Sequence, residues 1–198
     1  MSKRQERSTR TRATLIAAAG QRFDDAGYPS TSLAQVCETA QMSVGAITFH
    51  FANKADLADA VEDEGRARAT AVLASAGTAA PLKAVVDLTV AFAELLESDV
   101  MVRAALRLAH ERSGTDLLTA AWLPAVAAHV RQAYTHGLLG ADVSAEDVVD
   151  LAEYLTRGAE ALWRISPSGP QQSLRLGRAC ELALRGVQVG TRDVPGAG

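Results

Sequence analysis

The sequence predicts an all-α protein of about nine helices, with a small three-helix head over residues 1–52 and a larger helical body over residues 53–198. Three observations carry that expectation. Apolar residues recur at three- and four-residue intervals along most of the 198-residue chain, the period of helices with a buried face. Breakers separate the periodic stretches at residues 27–31, 77–81, 113–114, 140–144 and 166–170. No stretch alternates apolar and polar residues as a half-buried strand does, and no internal repeat occurs.

The first helix is expected over residues 8–26, capped by Ser8 or Thr9, with Leu15, Ile16, Ala19 and Phe23 as its apolar stripe and Gly27 as its end. Thr31 or Ser32 caps a second helix, in which Leu33, Val36, Cys37 and Ala40 repeat at helical spacing. A polar break at residues 41–43 then starts a third, short helix at Val44. Two short helices joined by a tight turn form a helix-turn-helix. The small residues Val44, Gly45, Ala46 and Thr48 at the start of its second helix suit it to sit deep in a DNA major groove. Phe23, Leu33, Val36, Ile47 and Phe51 are the expected core of this head, with Cys37 packed there as a small hydrophobe.

A longer helix follows over residues 52–76, capped by Asn53, with Leu57, Ala60, Val61 and Leu73 facing inward. Residues 82–96 are apolar on nearly all sides, which predicts a buried helix. Further helices are expected over residues 99–111, over residues 115–137 with a kink at Pro124, over residues 144–163 and over residues 171–189. Ser144 with Asp147 three residues on makes a capping box for the third of these, and residues 190–198 read as a frayed tail. The last two helices carry Val148, Val149, Leu151, Leu155 and Leu162, and Leu174, Leu176, Leu182, Leu184 and Val187, more apolar surface than one side of a terminal helix pair needs.

With 48% hydrophobic and 22% charged residues the chain reads as globular and soluble. No apolar run approaches the roughly 20 residues that span a bilayer, and the basic N-terminus has no apolar segment behind it, so neither a membrane anchor nor a signal peptide is expected and the location is expected to be cytoplasmic. The net charge of −3 is unevenly spread: residues 1–57 carry seven basic and five acidic side chains, and the remainder 13 and 18. Five of the basic residues, Lys3, Arg4, Arg7, Arg10 and Arg12, form a short arm ahead of the helix-turn-helix, suited either to phosphate contact or to solubility. Cys37 and Cys180 have no neighbour at metal-ligand spacing, so neither a metal, a disulfide nor a cofactor is expected. An enzyme would have to use His110-Glu111 or the pair His129 and His136, and that pair lies about 10 Å apart along a helix, too far for one ion.

Thr31 and Ser32 before the second helix, Ala40-Gln41-Met42-Ser43-Val44-Gly45 through the turn, Phe49-His50-Phe51, then Lys54 and Leu57 resemble the DNA-binding segment of the TetR family of bacterial transcription regulators. The resemblance implies that Ser43, Val44, Gly45 and Ala46 lie at the groove floor or its edge, Val44 and Ala46 touching thymine methyls. It also implies that Ser32, Thr48, His50 and Lys54 contact phosphates, with Phe49 beside them in the same interface. Thr48 stands where many members have tyrosine, and no Arg or Asn between residues 44 and 48 offers a bidentate base contact. The resemblance further implies a homodimer through the last two helices, a double-stranded palindromic operator and no membrane partner. Repression is the family's usual mode.

Within the family, the FHF segment, Trp122 and Thr156 in EYLTRGAEALW look most like the gamma-butyrolactone receptor group. That implies a small diffusible signal, a lactone or related furan, stacked on Trp122 and hydrogen-bonded by Thr156. Ligand binding would favour one orientation of the helix over residues 52–76 and so move two reading heads apart. Glu64 stands where such receptors often have glutamine, which suits a hydroxyl better than a carbonyl. Trp122 is also readable as a core residue and Thr156 as a helix-interior threonine bonded to its own backbone. A sensor of drug-like compounds and an orphan regulator with a filled pocket are the competing functions.

Overall fold

The computed structural model describes residues 3–76, 80–112, 121–165 and 171–188. The described residues form nine helices: α1 (Lys3–Ser30), α2 (Leu33–Ala40), α3 (Val44–His50), α4 (Lys54–Ser75), α5 (Pro81–Ser98), α6 (Val100–Arg112), α7 (Leu123–Thr135), α8 (Ala145–Ile165) and α9 (Gln172–Val187). Among them the only extended pairing is an isolated bridge between Leu139 and Gln188. The expected breaks at residues 113–114 and 166–170, the start of the helix from residue 115 and the tail at 190–198 lie outside the described residues.

The chain divides into two compact units, Met1–Val72 with Ser98–Ala121, and Leu73–Glu97 with Trp122–Gly198. The boundary expected between residues 52 and 53 lies inside the first unit, because the first three helices do not close their own core. Met101, Ala104 and Leu108 of α6 and Leu57 and Val61 of α4 pack with Leu15, Phe23, Val36, Ile47 and Phe51 in one buried cluster. Leu33 is half-buried at its edge. Cys37 is buried, its thiol 3.7 Å from the Ser43 carbonyl.

Helix α1 starts at Lys3, earlier than residue 8, because the Lys, Arg, Gln and Glu of the basic arm are themselves good helix formers. Thr9 is accordingly no cap; its hydroxyl donates to the Gln5 carbonyl one turn back, at 3.0 Å. The helical path breaks at Gly27 (φ 77°, ψ 175°), a left-handed conformation that favours glycine. The end of α6 grips this break. Arg107 donates to the Asp24 carbonyl at 2.6 Å, the Tyr28 N–H donates to Glu111 at 2.6 Å, and Arg103 pairs with Asp24 at 2.8 Å. Arg112 adds ion pairs to Asp59 and Glu62 of α4 at 2.7 and 2.5 Å. Helices α4 and α6 approach so closely at Gly65 that an added Cβ would stand 2.6 Å from the Met101 carbonyl oxygen.

In the second unit Leu82, Val85, Leu88, Phe92 and Leu96 of α5 are buried, as its all-round apolarity predicts. Pro124, where a kink was expected, has its preceding residues 113–120 outside the described ones. It stands in the first turn of α7, where its missing N–H would have had no helical partner. Ser144 and Asp147 form the expected capping box: the Asp147 N–H donates to the Ser144 hydroxyl oxygen at 3.1 Å, and the Ser144 N–H returns to the carboxylate at 2.9 Å. Helix α8 packs on α7 and α9. Ala93, Leu176 and Cys180 form a small cluster with Val86, Leu155 and Ala159 around them. No helix among the described residues is long and apolar enough to cross a membrane.

Candidate functional site

The helix-turn-helix is fixed by three local devices. Ser32 and Gln35 satisfy each other's backbone at the start of α2: the Ser32 N–H donates to the Gln35 side-chain oxygen at 2.8 Å, and the Gln35 N–H to the Ser32 hydroxyl at 3.3 Å. Gln41 ends α2 in the left-handed region (φ 54°, ψ 42°), its N–H returning to the Cys37 and Glu38 carbonyls. Ser43 caps α3, its hydroxyl oxygen accepting the Ala46 N–H at 3.3 Å. These hydrogen bonds occupy Ser32 and Ser43 within the chain while leaving both side chains at the surface.

Ile47 and the following Phe51 are buried, so at about 100° per residue Gly45 and Phe49 stand on the opposite, outer side of α3. Val44 and Thr48 flank them on one side and the half-buried Ala46 and His50 on the other. Phe49 is 77% exposed and Val44 57%. The Thr48 hydroxyl donates back to the Val44 and Gly45 carbonyls at 3.1 and 3.3 Å. An added Cβ at Gly45 would find nothing closer than the Ser43 hydroxyl oxygen at 3.9 Å, although a helical glycine costs about 0.5–1 kcal/mol relative to alanine.

The His50 ring stands edge-on to Phe49, centroids 5.1 Å apart. Lys54 is committed to Tyr28: its ammonium donates to the Tyr28 carbonyl at 2.9 Å and lies 4.2 Å from the centre of the Tyr28 ring. Asn53 caps α4 as expected, accepting the Asp56 N–H at 2.9 Å. Arg12, expected in the basic arm, has its guanidinium 5.1 Å over the Phe51 ring and so joins that arm to the end of α3, a contact the sequence did not announce.

The three residues implied for a ligand fall in different settings. Trp122 is fully buried in the second unit, and its indole N–H has no acceptor among the described residues. Thr156, also buried there, donates its hydroxyl to the Ala152 carbonyl at 2.8 Å, the helix-interior arrangement. Glu64 belongs to the first unit, where it accepts from Arg68 at 2.9 Å; Arg68 also pairs with Asp99 at 3.3 Å. Among the described residues no group of His, Cys, Asp and Glu is placed to hold a metal ion.

Residues 15–61 match the N-terminal domain of the bacterial regulatory proteins of the tetR family. The chain is 33% identical over 108 residues to the A-factor receptor protein of Streptomyces griseus, a match covering 54% of this chain and 38% of that receptor's length. The fold extends the likeness. CprB, a TetR-family protein from S. coelicolor A3(2), superposes with a TM-score of 0.78 at 27% identity, covering 95% of this chain and 93% of that one. A gamma-butyrolactone receptor described as ArpA-like superposes with a TM-score of 0.66 at 27% identity, covering 89% of this chain and 98% of that one. The members of this family are transcriptional regulators, not enzymes. Residues 15–61 thus carry the N-terminal domain of the tetR family of bacterial regulatory proteins, and the chain is similar in sequence and fold to gamma-butyrolactone receptors.

Proposed function

We propose that the protein is a cytoplasmic repressor that binds a palindromic operator as a homodimer and leaves it when a small diffusible signal, a gamma-butyrolactone or related furan, enters the second unit. The DNA interface is the outer face of α3, with Val44, Gly45, Ala46 and Phe49 toward the bases. Ser43 stands at the groove edge, and Ser32, Thr48, His50 and Lys54 stand at the phosphates.

The observation that carries the sensor half is the Trp122 indole. A buried donor without an acceptor costs about 1–3 kcal/mol, which a ligand oxygen at that nitrogen would recover. A lactone carbonyl or a furan oxygen supplies such an acceptor, and the indole face supplies a stacking surface. Thr156 is the second ligand group: its hydroxyl proton is committed to Ala152, but its oxygen can still accept.

The test is selection of an operator from random duplexes, followed by release with lactones, furans and organic extracts and by thermal shift with the same compounds. A Trp122→Phe variant, which keeps an aromatic filler but removes the N–H, is expected to hold the operator normally and to need at least tenfold more signal for release. Full burial of Trp122 and the self-bonded Thr156 favour one competing reading, an orphan regulator whose side chains fill its own pocket. An operator that no compound releases, with no thermal shift, would establish that reading instead.

A further inference from the structure

Resting on the DNA-binding reading above, we propose that Arg22 is a further phosphate ligand of the operator, a half-sunk cation near the turn between α1 and α2 that joins Ser32 and Lys54 on the DNA backbone.

Arg22 differs from the arginines that tie the helices of the first unit together. Arg66, Arg68, Arg103, Arg107 and Arg112 each make an ion pair. Arg22 makes none among the described residues, although its side chain is half-buried and its Nε–H is shut off from water without an acceptor. Its two terminal nitrogens also have no acceptor among the described residues, but they are not enclosed and so meet solvent. The carboxylates of this region are taken: Asp24 by Arg103, Glu111 by Arg107 and the Tyr28 N–H, Asp59 and Glu62 by Arg112. Ala18, Ala19 and Ala26 fill the positions one turn away on α1, and the exposed Asp25, three residues on, does not pair with it. An enclosed donor on an ionised group costs more to leave unpaired than one on a neutral group. An apolar stem would serve the fold better, so the charge serves something outside the chain.

The place of Arg22 identifies that anion. The Thr31 hydroxyl donates to the Arg22 carbonyl at 3.2 Å and to the Gly27 carbonyl at 2.8 Å, which fixes the end of α1 against the residue that precedes the Ser32 cap of α2. Lys54 reaches the Tyr28 carbonyl in the same connection at 2.9 Å. Ser32 and Lys54 are phosphate contacts in the reading above, so Arg22 belongs to the same edge of the head. A guanidinium with two unpaired terminal nitrogens matches the paired oxygens of a phosphodiester, a bidentate fit that a hydroxyl or an ammonium does not offer.

The test uses the full-length protein and the operator it selects. Arg22→Met keeps an unbranched stem and removes the charge; Arg22→Gln makes the same comparison if the methionine protein does not fold, and Arg22→Lys puts a charge back. The methionine protein is expected to melt no lower than the parent, because the enclosed unpaired N–H is gone. Its operator binding is expected to weaken about tenfold or more near 100 mM salt, and the slope of log affinity against log salt to fall by about two, one phosphate for each protomer. A scrambled duplex is expected to lose as much, leaving sequence preference unchanged. Arg22→Lys is expected to recover the slope and part of the affinity. Neutral methylphosphonates placed one at a time are expected to weaken the parent at one position in each half-site where they leave the uncharged variant unaffected. An uncharged variant that loses affinity with an unchanged salt slope, or one that shares the parent's methylphosphonate map, overturns the assignment of Arg22 alone. A protein that selects no duplex at all overturns the DNA-binding reading with it.

Discussion

At the scale of single residues, burial decides chemistry. Cys180 lies in the small cluster with Ala93 and Leu176, and burial pushes its thiol from its ordinary value near 9 up to about 11, against a smaller opposing effect of its hydrogen bond with Thr89. The thiol of the folded protein therefore stays neutral where that of the unfolded chain already ionises. Stability from this group is complete below pH 9 and is lost as pH rises toward 11. The expected result is no alkylation of Cys180 by iodoacetamide at pH 8 in the folded protein and rapid alkylation in urea, read by mass spectrometry. Labelling at equal rates in both states would show that the site opens locally.

The same scale shows what the sequence makes legible. Ser32 with Gln35, Asn53 with Asp56, and Ser144 with Asp147 are all capping pairs three residues apart, and a three-residue spacing can be read from the chain. Lys54 with Tyr28 and Arg112 with Glu62 are 26 and 50 positions apart, and no local pattern announces them. The structure adds to the expected phosphate role of Lys54 a bond to the Tyr28 carbonyl, which uses one of its three ammonium hydrogens.

Elements were legible in kind more than in extent. The helix-turn-helix emerged because its caps, its glycine break and its apolar spacing all lie within about thirty residues. The role of α6 did not, because its contribution to the head depends on packing across the chain. Met101, Ala104 and Leu108 complete the core of the first unit, and Arg107 and Glu111 hold the backbone at Asp24 and Tyr28, on either side of Gly27. A Cβ at Gly27 would sit 2.6 Å from one Glu111 oxygen and 2.7 Å from an Arg107 nitrogen, in addition to the strain of its positive φ. Gly27→Ala is therefore expected to destabilise the protein by about 1–3 kcal/mol and to lower the urea midpoint without changing the slope. An unchanged midpoint would mean that α6 yields at this point and that the clasp contributes little.

At the scale of the whole molecule, the expected surplus of apolar surface on the last two helices resolves into two faces. Leu176, Cys180 and Leu184 of α9 turn into the second unit, as Val148 and Ala152 of α8 do. Leu174 (67% exposed) and Leu182 (58%) lie on another side of α9, two turns apart, with Arg178 between them. Tyr154 (70%) and Leu162 (64%) repeat that spacing on α8. A helix apolar on two faces has surface left for a second partner, and a two-fold copy offers the same stripe in return. A groove of about 610 Å³ between α5 and α9, lined in part by these leucines with Asp87 and Arg185, adds charges of both signs at its edge. Arginine at 174 and 182 would bring like charges together at a self-complementary interface while leaving the buried face of α9 untouched. The double variant Leu174→Arg with Leu182→Arg is expected to keep its helical content, to move from dimer to monomer by light scattering, and to lose at least a hundredfold in affinity for a two-half-site operator while binding an isolated half-site as weakly as the parent does. A variant that stays dimeric would move the interface away from α9.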